Sequence, residues 1–476
     1  MITDINNVES VVAYGGVGLV KNEIEQLMEM QKAFLAGADI NIADLTGGQA
    51  GRVQNLESTF KLITYKESAA AFWRDVPKDA VDSTVLEWAR INEVAGLITY
   101  SEAGAGDSDF VEQDDDMDRQ YDTVKFMGVR GSVSFVAKDV KMLQAAEALE
   151  TQNKIRSFVR GLDLLCWFGD NSLNSYEFNG LFKQHALKCT NPSQNVFDLR
   201  GKRLSDSKVN EACTVIADNY GNPNGLQIWM SNKAAEGWVQ DKIANKSYIT
   251  NFAGGLDQPQ VKKNFELENG MGVVKKDVFL RSQYVLTNRC LNKAKTAFVS
   301  NHPKAPSIPA NNAPSVVPST TSYSMDAGDY DYAITAFNRF GEGEAREFTV
   351  SVVGTGNMVQ FTLAETTPVA GQLATGYKIY RRAGAETDIK KYELVKTVGT
   401  GTQYDDGEYI PGTSQVALID WDSDQVIRFA QLLPMYKLYY GIRGDKLEWL
   451  HKLYGTLQIY NANKIVIFKN VGVLPN

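Results

Sequence analysis

The chain has little of what most catalytic and metal sites are built from. Its 476 residues include three histidines and four cysteines. His185, His302 and His451 lie far apart in sequence, and no GxSxG elbow or cysteine-flanking signature accompanies them. Cys166, Cys189, Cys213 and Cys290 form no CxxC pair, so they read as reduced, mostly buried thiols and not as a metal or disulfide set. No GxxxxGK[ST] phosphate loop occurs, and the GGVG at residues 15–18 lacks the third glycine of a dinucleotide fingerprint. Catalysis therefore has no positive support, and no cofactor or metal is expected. Long apolar runs are missing as well: none approaches the roughly 18 residues that span a bilayer. The opening MITDINNVES has no basic stretch followed by an apolar one, so no secretory signal is expected. A basic excess is also lacking, with 49 Lys and Arg against 57 Asp and Glu, which disfavours bulk nucleic-acid binding.

Proline is scarce, and its placement is therefore informative. Five of the 13 prolines fall in residues 303–318 (PKAPSIPANNAPSVVP), a run unfit for helix or central strand. Alternating apolar and polar residues follow in DYDYAITAFNRFGEGEAREFTV (329–350), TGYKIYRR (375–382) and YELVKTV (392–398), with glycine turns between them. By residue 426 the spacing in VIRFAQLLPMYKL reads as helical again. The middle of the chain thus reads as an all-β module inserted into an unrelated fold. Between residues 315 and 424 there are 8 basic and 16 acidic residues, leaving 41 of each elsewhere. The net charge of −8 is thereby assigned wholly to the insert, as for an outward-facing solvated decoration.

Around the insert the pattern is mixed. Residues 1–80 read as a loose start with a surface helix at 20–34 and a second at 62–73, broken before Pro77. STVLEWARI (83–91) and YDTVKFMGVRGSVSFVA (121–137) alternate and are expected to pair as a long hairpin. The loop between them, DSDFVEQDDDMD, carries seven acids and no base: Asp107, Asp109, Glu112, Asp114, Asp115, Asp116 and Asp118. It lacks the glycine and terminal glutamate of an EF-hand, so a solvated tip or a contact with a basic neighbour is favoured over a calcium site. Residues 138–170 are the most helical, with Ile155, Phe158, Val159, Leu162, Leu165 and Cys166 on one stripe ending at Gly169. Next comes an α/β layer. Ser205 caps a helix whose buried stripe is expected to hold Val209, Ala212, Cys213, Ile216 and Tyr220, LQIWM (226–230) is a strand, and Ser231 caps the next helix. Strand-like pieces follow at 273–280 and 297–300, and KLYGTLQIYNANKIVIFKNVGV (452–473) reads as two strands about an Asn-rich turn.

The order of these segments carries a resemblance. CWFGDNSLNSYEFNGL (166–181), LQIWMSNKAAEGW (226–238), a β insert, RFAQLLPMYKL (428–438) and KLYGTLQIYNANKIVIFKNV (452–471) together resemble the major capsid proteins of tailed bacteriophages. Those of large myophages of Gram-positive hosts are the most similar in pattern. The resemblance implies an α+β, Hong Kong 97-like fold, shared with encapsulins. It further implies an N-terminal arm (1–80), an extended-loop hairpin with peripheral strands (81–137) and a spine helix (138–170). An axial domain (171–302), the insert with its linker (303–425) and a C-terminal axial and peripheral segment (426–476) complete the expected order.

The implied function is structural. The subunit would assemble with itself as hexamers and pentamers into an icosahedral shell around double-stranded DNA, in the virion, after assembly in the host cytoplasm. Portal, scaffold or decoration proteins are the further partners, and no membrane is involved. The seven acids would then sit at an intersubunit contact. No covalent crosslinking position can be matched. The insert itself resembles fibronectin type III or bacterial immunoglobulin-like domains, with Tyr332 and Phe337 or Phe340 as core anchors. Its late-strand pattern YDYAITAFNRFGEGEA precedes GYKIYRR, so a permuted strand order is expected. The alternatives are an encapsulin-type nanocompartment shell, a glycan-binding adhesin and, last, an enzyme.

Overall fold

A computed structural model describes residues 70–93, 115–139, 146–244, 264–267, 270–280, 305–366, 370–384, 386, 392–422, 425–472 and 474. A five-residue helix, α1 (Ala71–Asp75), leads into β1 (Lys78–Ala80). β2 (Val85–Glu93) and β3 (Asp116–Thr123) pair only with each other. β4 (Lys125–Ser134) and α2 (Phe135–Asp139) precede α3 (Ala146–Phe168), the longest described helix. Then come α4 (Leu181–Lys188), α5 (Pro192–Asn195), β5 (Val196–Asp198), α6 (Asp206–Asp218), β6 (Leu226–Met230), α7 (Asn232–Ala244), β7 (Asn264–Leu267) and β8 (Gly270–Lys276). The mixture of helices and largely antiparallel sheets is the expected α+β class.

The end of α3 explains the CWFGDNSLNSYEFNGL motif. Gly169 N–H donates to Leu165 O (2.9 Å) and Gly180 N–H to Gly169 O (2.8 Å), so the chain returns onto the helix end. A Cβ on Gly180 would lie 2.6 Å from Leu165 O, and one on Gly169 would lie 2.3 Å from Phe178 O. Neither contact is tolerable, so both positions require glycine for close approach. The turn thereby buries Phe178 and Leu181 against Trp167 and Leu162 of α3.

The insert comprises β9 (Ser315–Pro318), β10 (Gly328–Asn338), β11 (Gly341–Glu342), β12 (Arg346–Val352), β13 (Asn357–Leu363), β14 (Gly376–Ala383), β15 (Glu393–Val398) and β16 (Gly401–Asp405). One sheet runs β12-β10-β14-β15, with β11 also on β10, and the other runs β16-β13-β9. The strand that resembles a late strand, β10, lies central and pairs with β14, which follows it in sequence, so the order is permuted. Tyr332 is buried between the sheets, 5.0 Å from the Phe361 ring. Phe337 is half-buried and outside that core, because the two-residue period sends odd-numbered β10 side chains to the opposite face. Phe340 is also outside it, in the turn after β10.

The insert ends earlier than the sequence suggests. β17 (Ser414–Asp420) is not part of the sandwich but the third strand of a six-stranded sheet, β5-β20-β17-β6-β8-β7, where β20 is Ile465–Val471. Both faces of this sheet are covered. Val416 and Leu418 join Ile228, Met230, Val466 and Phe468 under α6 and α7, whereas Ala417 and Ile419 join Trp229 and Ile467 facing α1 and α3. Trp421 packs 5.6 Å from Trp229 and so belongs to the body. With the boundary at Thr413, the insert carries 13 acidic and 8 basic residues from 315 onward. Three of the eight excess acids therefore lie in the body.

The expected helix over VIRFAQLLPMYKL is a strand. β18 (Ile427–Arg443) pairs along its length with β19 (Lys446–Ile459), which pairs with β4, while β1 adds to the other edge of β18. Register shifts at Gln431/Leu433, Leu433/Tyr436 and Tyr439/Gly441 break the two-residue period. Pro434 sits in the second shift, where no ladder bond is needed from it. Bulges that advance the apolar phase by one residue mimic helical spacing.

Three smaller expectations are also corrected. The hairpin is shorter than expected: residues 121–137 divide at Val124, and β4 leaves β2 for β19. Tyr220 is not buried but 93% exposed, held at φ 58° just past the end of α6. The helix expected over 138–170 is described as α2 and α3, with residues 140–145 outside the described set. Ser205 and Ser231 do cap α6 and α7, accepting from Lys208 N and Ala234 N. The expected helix at 20–34 and strand at 297–300 lie outside the described residues.

Candidate assembly surfaces

The β2–β3 hairpin has two unlike faces because its side chains alternate. One face, with Leu86, Trp88 and Asp122, is half-buried on the body. The anchor is Lys188 of α4, whose Nζ donates to Asp122 Oδ2 (3.2 Å), Gln184 Oε1 (3.0 Å) and Ile459 O (3.1 Å), and lies 4.9 Å from the Trp88 ring. Burial outweighs the ion pair at both partners, pushing the lysine down and the aspartate up from their ordinary values. Trp88 also meets Tyr460 edge to face at 5.2 Å.

The other face carries Val85, Ile91, Met117 and Tyr121, between 46% and 68% exposed, around a Glu87–Arg119 ion pair at 3.3 Å. A two-stranded sheet is marginal on its own, and here it spends its outer side on an apolar stripe open to solvent. Of the seven acids singled out in the loop, Asp107, Asp109, Glu112 and Asp114 lie outside the described residues. Asp115 and Asp116 are exposed at the start of β3. Asp118 is engaged within the hairpin, bonded by Arg90 (3.0 Å) and Gln120 (2.7 Å).

A second apolar surface lies on the outer side of β4, β19 and β18. Tyr436, Leu438 and Tyr440 of β18 stand beside Leu450, Lys452 and Tyr454 of β19 and Phe126 of β4, with Phe126 edge-on to Tyr454 at 4.7 Å. The inner side of these strands faces α3, where Lys437 Nζ and Tyr439 Oη reach Glu147 (3.1 and 2.8 Å) and Trp449 and Leu453 are buried. Sequence reasoning missed this surface because it read β18 as helix. The alternation in residues 446–459 was the available signal.

The insert is held against the body. Asn470, at φ 52° and buried, donates from Nδ2 to Asp198 Oδ1 and Glu408 O (both 2.8 Å) and accepts from Ile410 N (3.1 Å). Arg200 donates to Gly407 O (3.1 Å), Lys233 to Gly412 O (2.6 Å), and Lys469 pairs with Glu408 (3.1 Å). At the far end Arg339 lies over the Tyr176 ring at 5.1 Å. Between these contacts a cleft of about 640 Å3 separates Leu165 and Phe168 of α3 from Phe337 and Leu394 of the insert. His185 is buried against Ile465 O (3.0 Å) and burial pushes it down to about 4, so it is neutral. His451 is buried on β19, and His302 lies outside the described residues.

Two open apolar surfaces thus lie on different elements of the body. The chain is 20% identical over 464 residues to the major capsid protein of Staphylococcus phage S25-3, covering 93% of this chain and 95% of that protein. It is 22% identical to the putative major capsid protein of Enterococcus phage phiEF24C, covering 95% and 97%. The similarity to these phage major capsid proteins runs over nearly the whole of both chains. No protein-family model matches it. Similar solved structures include the capsid of a native GTA particle (TM-score 0.45, 10% identity, 91% of this chain and 99% of that one). The holo-SrpI encapsulin of Synechococcus elongatus is another (TM-score 0.40, 9% identity, 91% and 97%).

Proposed function

We infer that this chain is the major capsid protein of a tailed bacteriophage and builds the phage shell by self-association. The observation that carries this is the end-to-end similarity to phage major capsid proteins, insert included. The two open apolar surfaces support it physically. The hairpin stripe and the β4-β19-β18 face differ in shape and composition, so a contact between them on two copies is heterologous and generates rings and closed shells. Hexamers and pentamers enclosing double-stranded DNA are the proposed arrangement. Portal, scaffold or decoration proteins are the proposed further partners, and the host cytoplasm is the proposed place of assembly.

Within that reading residues 1–80 are the arm, whose last part, α1 and β1, packs on the body, β2–β3 the extended hairpin and α3 the spine. The insert projects from the outer surface. The acidic loop, Asp107 to Asp118, serves at the tip of an intersubunit contact. Size-exclusion chromatography and negative-stain microscopy of the expressed chain test the reading. Polyhedral shells are expected, and a stable monomer at all concentrations would refute it. Genomic DNA inside particles from infected cells separates a virus from a nanocompartment.

A further inference from the structure

Two aspartates are fully buried where α1 meets α3. Asp163 of α3 and Asp277, just after β8, are both inaccessible to solvent. Asp163 Oδ1 accepts from Trp73 N (2.8 Å). Asp277 Oδ2 accepts from Phe72 N (3.2 Å) and Trp167 Nε1 (3.4 Å), and its Oδ1 accepts from Phe279 N (2.8 Å). Asp163 Oδ2 is buried and receives no hydrogen bond. Among the described residues no cation pairs with Asp163. The nearby groups are the Cys166 thiol, which burial keeps neutral, and Lys78, whose Nζ is spent on the carbonyls of Trp73, Arg74 and Val76 at the other end of α1. Lys275 is paired with Asp75 (2.8 Å), which Arg74 also holds (2.9 Å).

We propose that Asp163 and Asp277 hold one proton between them and act as a carboxyl clamp that ties α1 to α3 and to the strand end after β8, released when that proton is lost. Two adjacent buried carboxylates without a cation cannot both stay charged, so the clamp needs the proton to stay closed. Burial first, and the neighbouring aspartate second, raise Asp163 to about 9. With the folded value above the unfolded one, the clamp's stability is fully present below the ordinary aspartate range, declines as pH rises, and is gone by about pH 9.

Hydrogen exchange of the Phe72 and Trp73 amides, corrected for intrinsic rates, tests the clamp in the full chain. Protection is expected to fall about tenfold per pH unit from above the ordinary aspartate range up to about pH 9 and to level off beyond it. Asp163→Asn keeps an acceptor for Trp73 N and offers a permanent N–H toward Asp277, so its profile should be flat. Identical profiles in the two proteins would overturn the proposal. If Asp163→Asn fails to fold, infrared spectroscopy of the unaltered chain decides. A protonated, buried carboxyl C=O band at neutral pH that disappears above about pH 9 supports the clamp, and its absence overturns it.

Discussion

Removing the insert tests where the body ends. Two excisions differ chiefly in their C-terminal boundary. Joining His302 to Gln425 removes everything that looks like β module in the sequence, and with it β17. That strand lies between β6 and β20, so its loss separates the two halves of the six-stranded sheet. Val416, Leu418 and Ile419 are fully buried, and at about 1.5–3 kcal/mol each they represent about 5–9 kcal/mol of apolar burial. Trp421 and its packing on Trp229 go as well. A loss of that size is comparable to the roughly 5–15 kcal/mol that holds a typical domain folded.

The second excision removes residues 307–409 and bridges the ends with a Gly-Ser linker. It retains the turn in which Ile410 N meets Asn470 Oδ1 and Thr413 Oγ1 donates to Ile410 O (2.6 Å). The contacts forfeited are the polar seam, Arg200 to Gly407, Lys469 to Glu408 and Asn470 to Glu408 O, and at the far end that of Arg339 with Tyr176. At roughly 1 kcal/mol per bond, that costs a few kcal/mol at most. Circular dichroism, thermal melting and electron microscopy of both variants give the readout. The longer excision should be unfolded and shell-free, whereas the shorter one should fold and assemble. Shells of normal stability from the longer variant would refute the placement of β17 in the body.

The remaining predictions concern the turn and the hairpin. Gly180→Ala should destabilise the body by about 1–3 kcal/mol, because its Cβ meets Leu165 O and Gly169 N, and a thermal melt checks this. Ile91→Ser with Met117→Ser should leave monomer stability within about 0.5 kcal/mol, since both side chains are exposed, while particle yield by sedimentation falls sharply. Deleting residues 107–114, which spares the Arg90–Asp118 pair in the hairpin, should weaken assembly; particles forming normally with unchanged melting would remove the acidic loop from the contact.

Much of the body was legible in the sequence because its local signals agree with its packing. Ser205 followed by apolar residues at 209, 212, 213 and 216 could only be a capped helix with one buried face, and the structure has all four buried. Tyr220 extended that pattern by spacing alone, but the chain had already turned at φ 58°, and a left-handed residue past a helix end has no helical face. The stripe on α3 was legible in part: Phe158, Leu162 and Cys166 are buried, and the fully buried Asp163 beside them was invisible to any reading of apolar periodicity. A buried carboxyl declares itself only through partners such as Asp277 that are distant in sequence.

Boundaries and surfaces were less legible, and for a common reason. SQVALID alternates into an apolar run like the strands before it, and nothing local distinguishes a last strand of the insert from a central strand of the body. Only pairing with β6 and β20 decides it. That correction also moves Asp420, Asp422 and Asp424 out of the insert. The remaining 13 acids against 8 bases still leave the module acidic, but the body it leans on is no longer neutral. Charge alone thus does not argue for a freely projecting decoration. The seam through Asn470, with its buried amide bridging Asp198 and Glu408, argues instead for an insert fixed to the body, presenting one defined face to solvent.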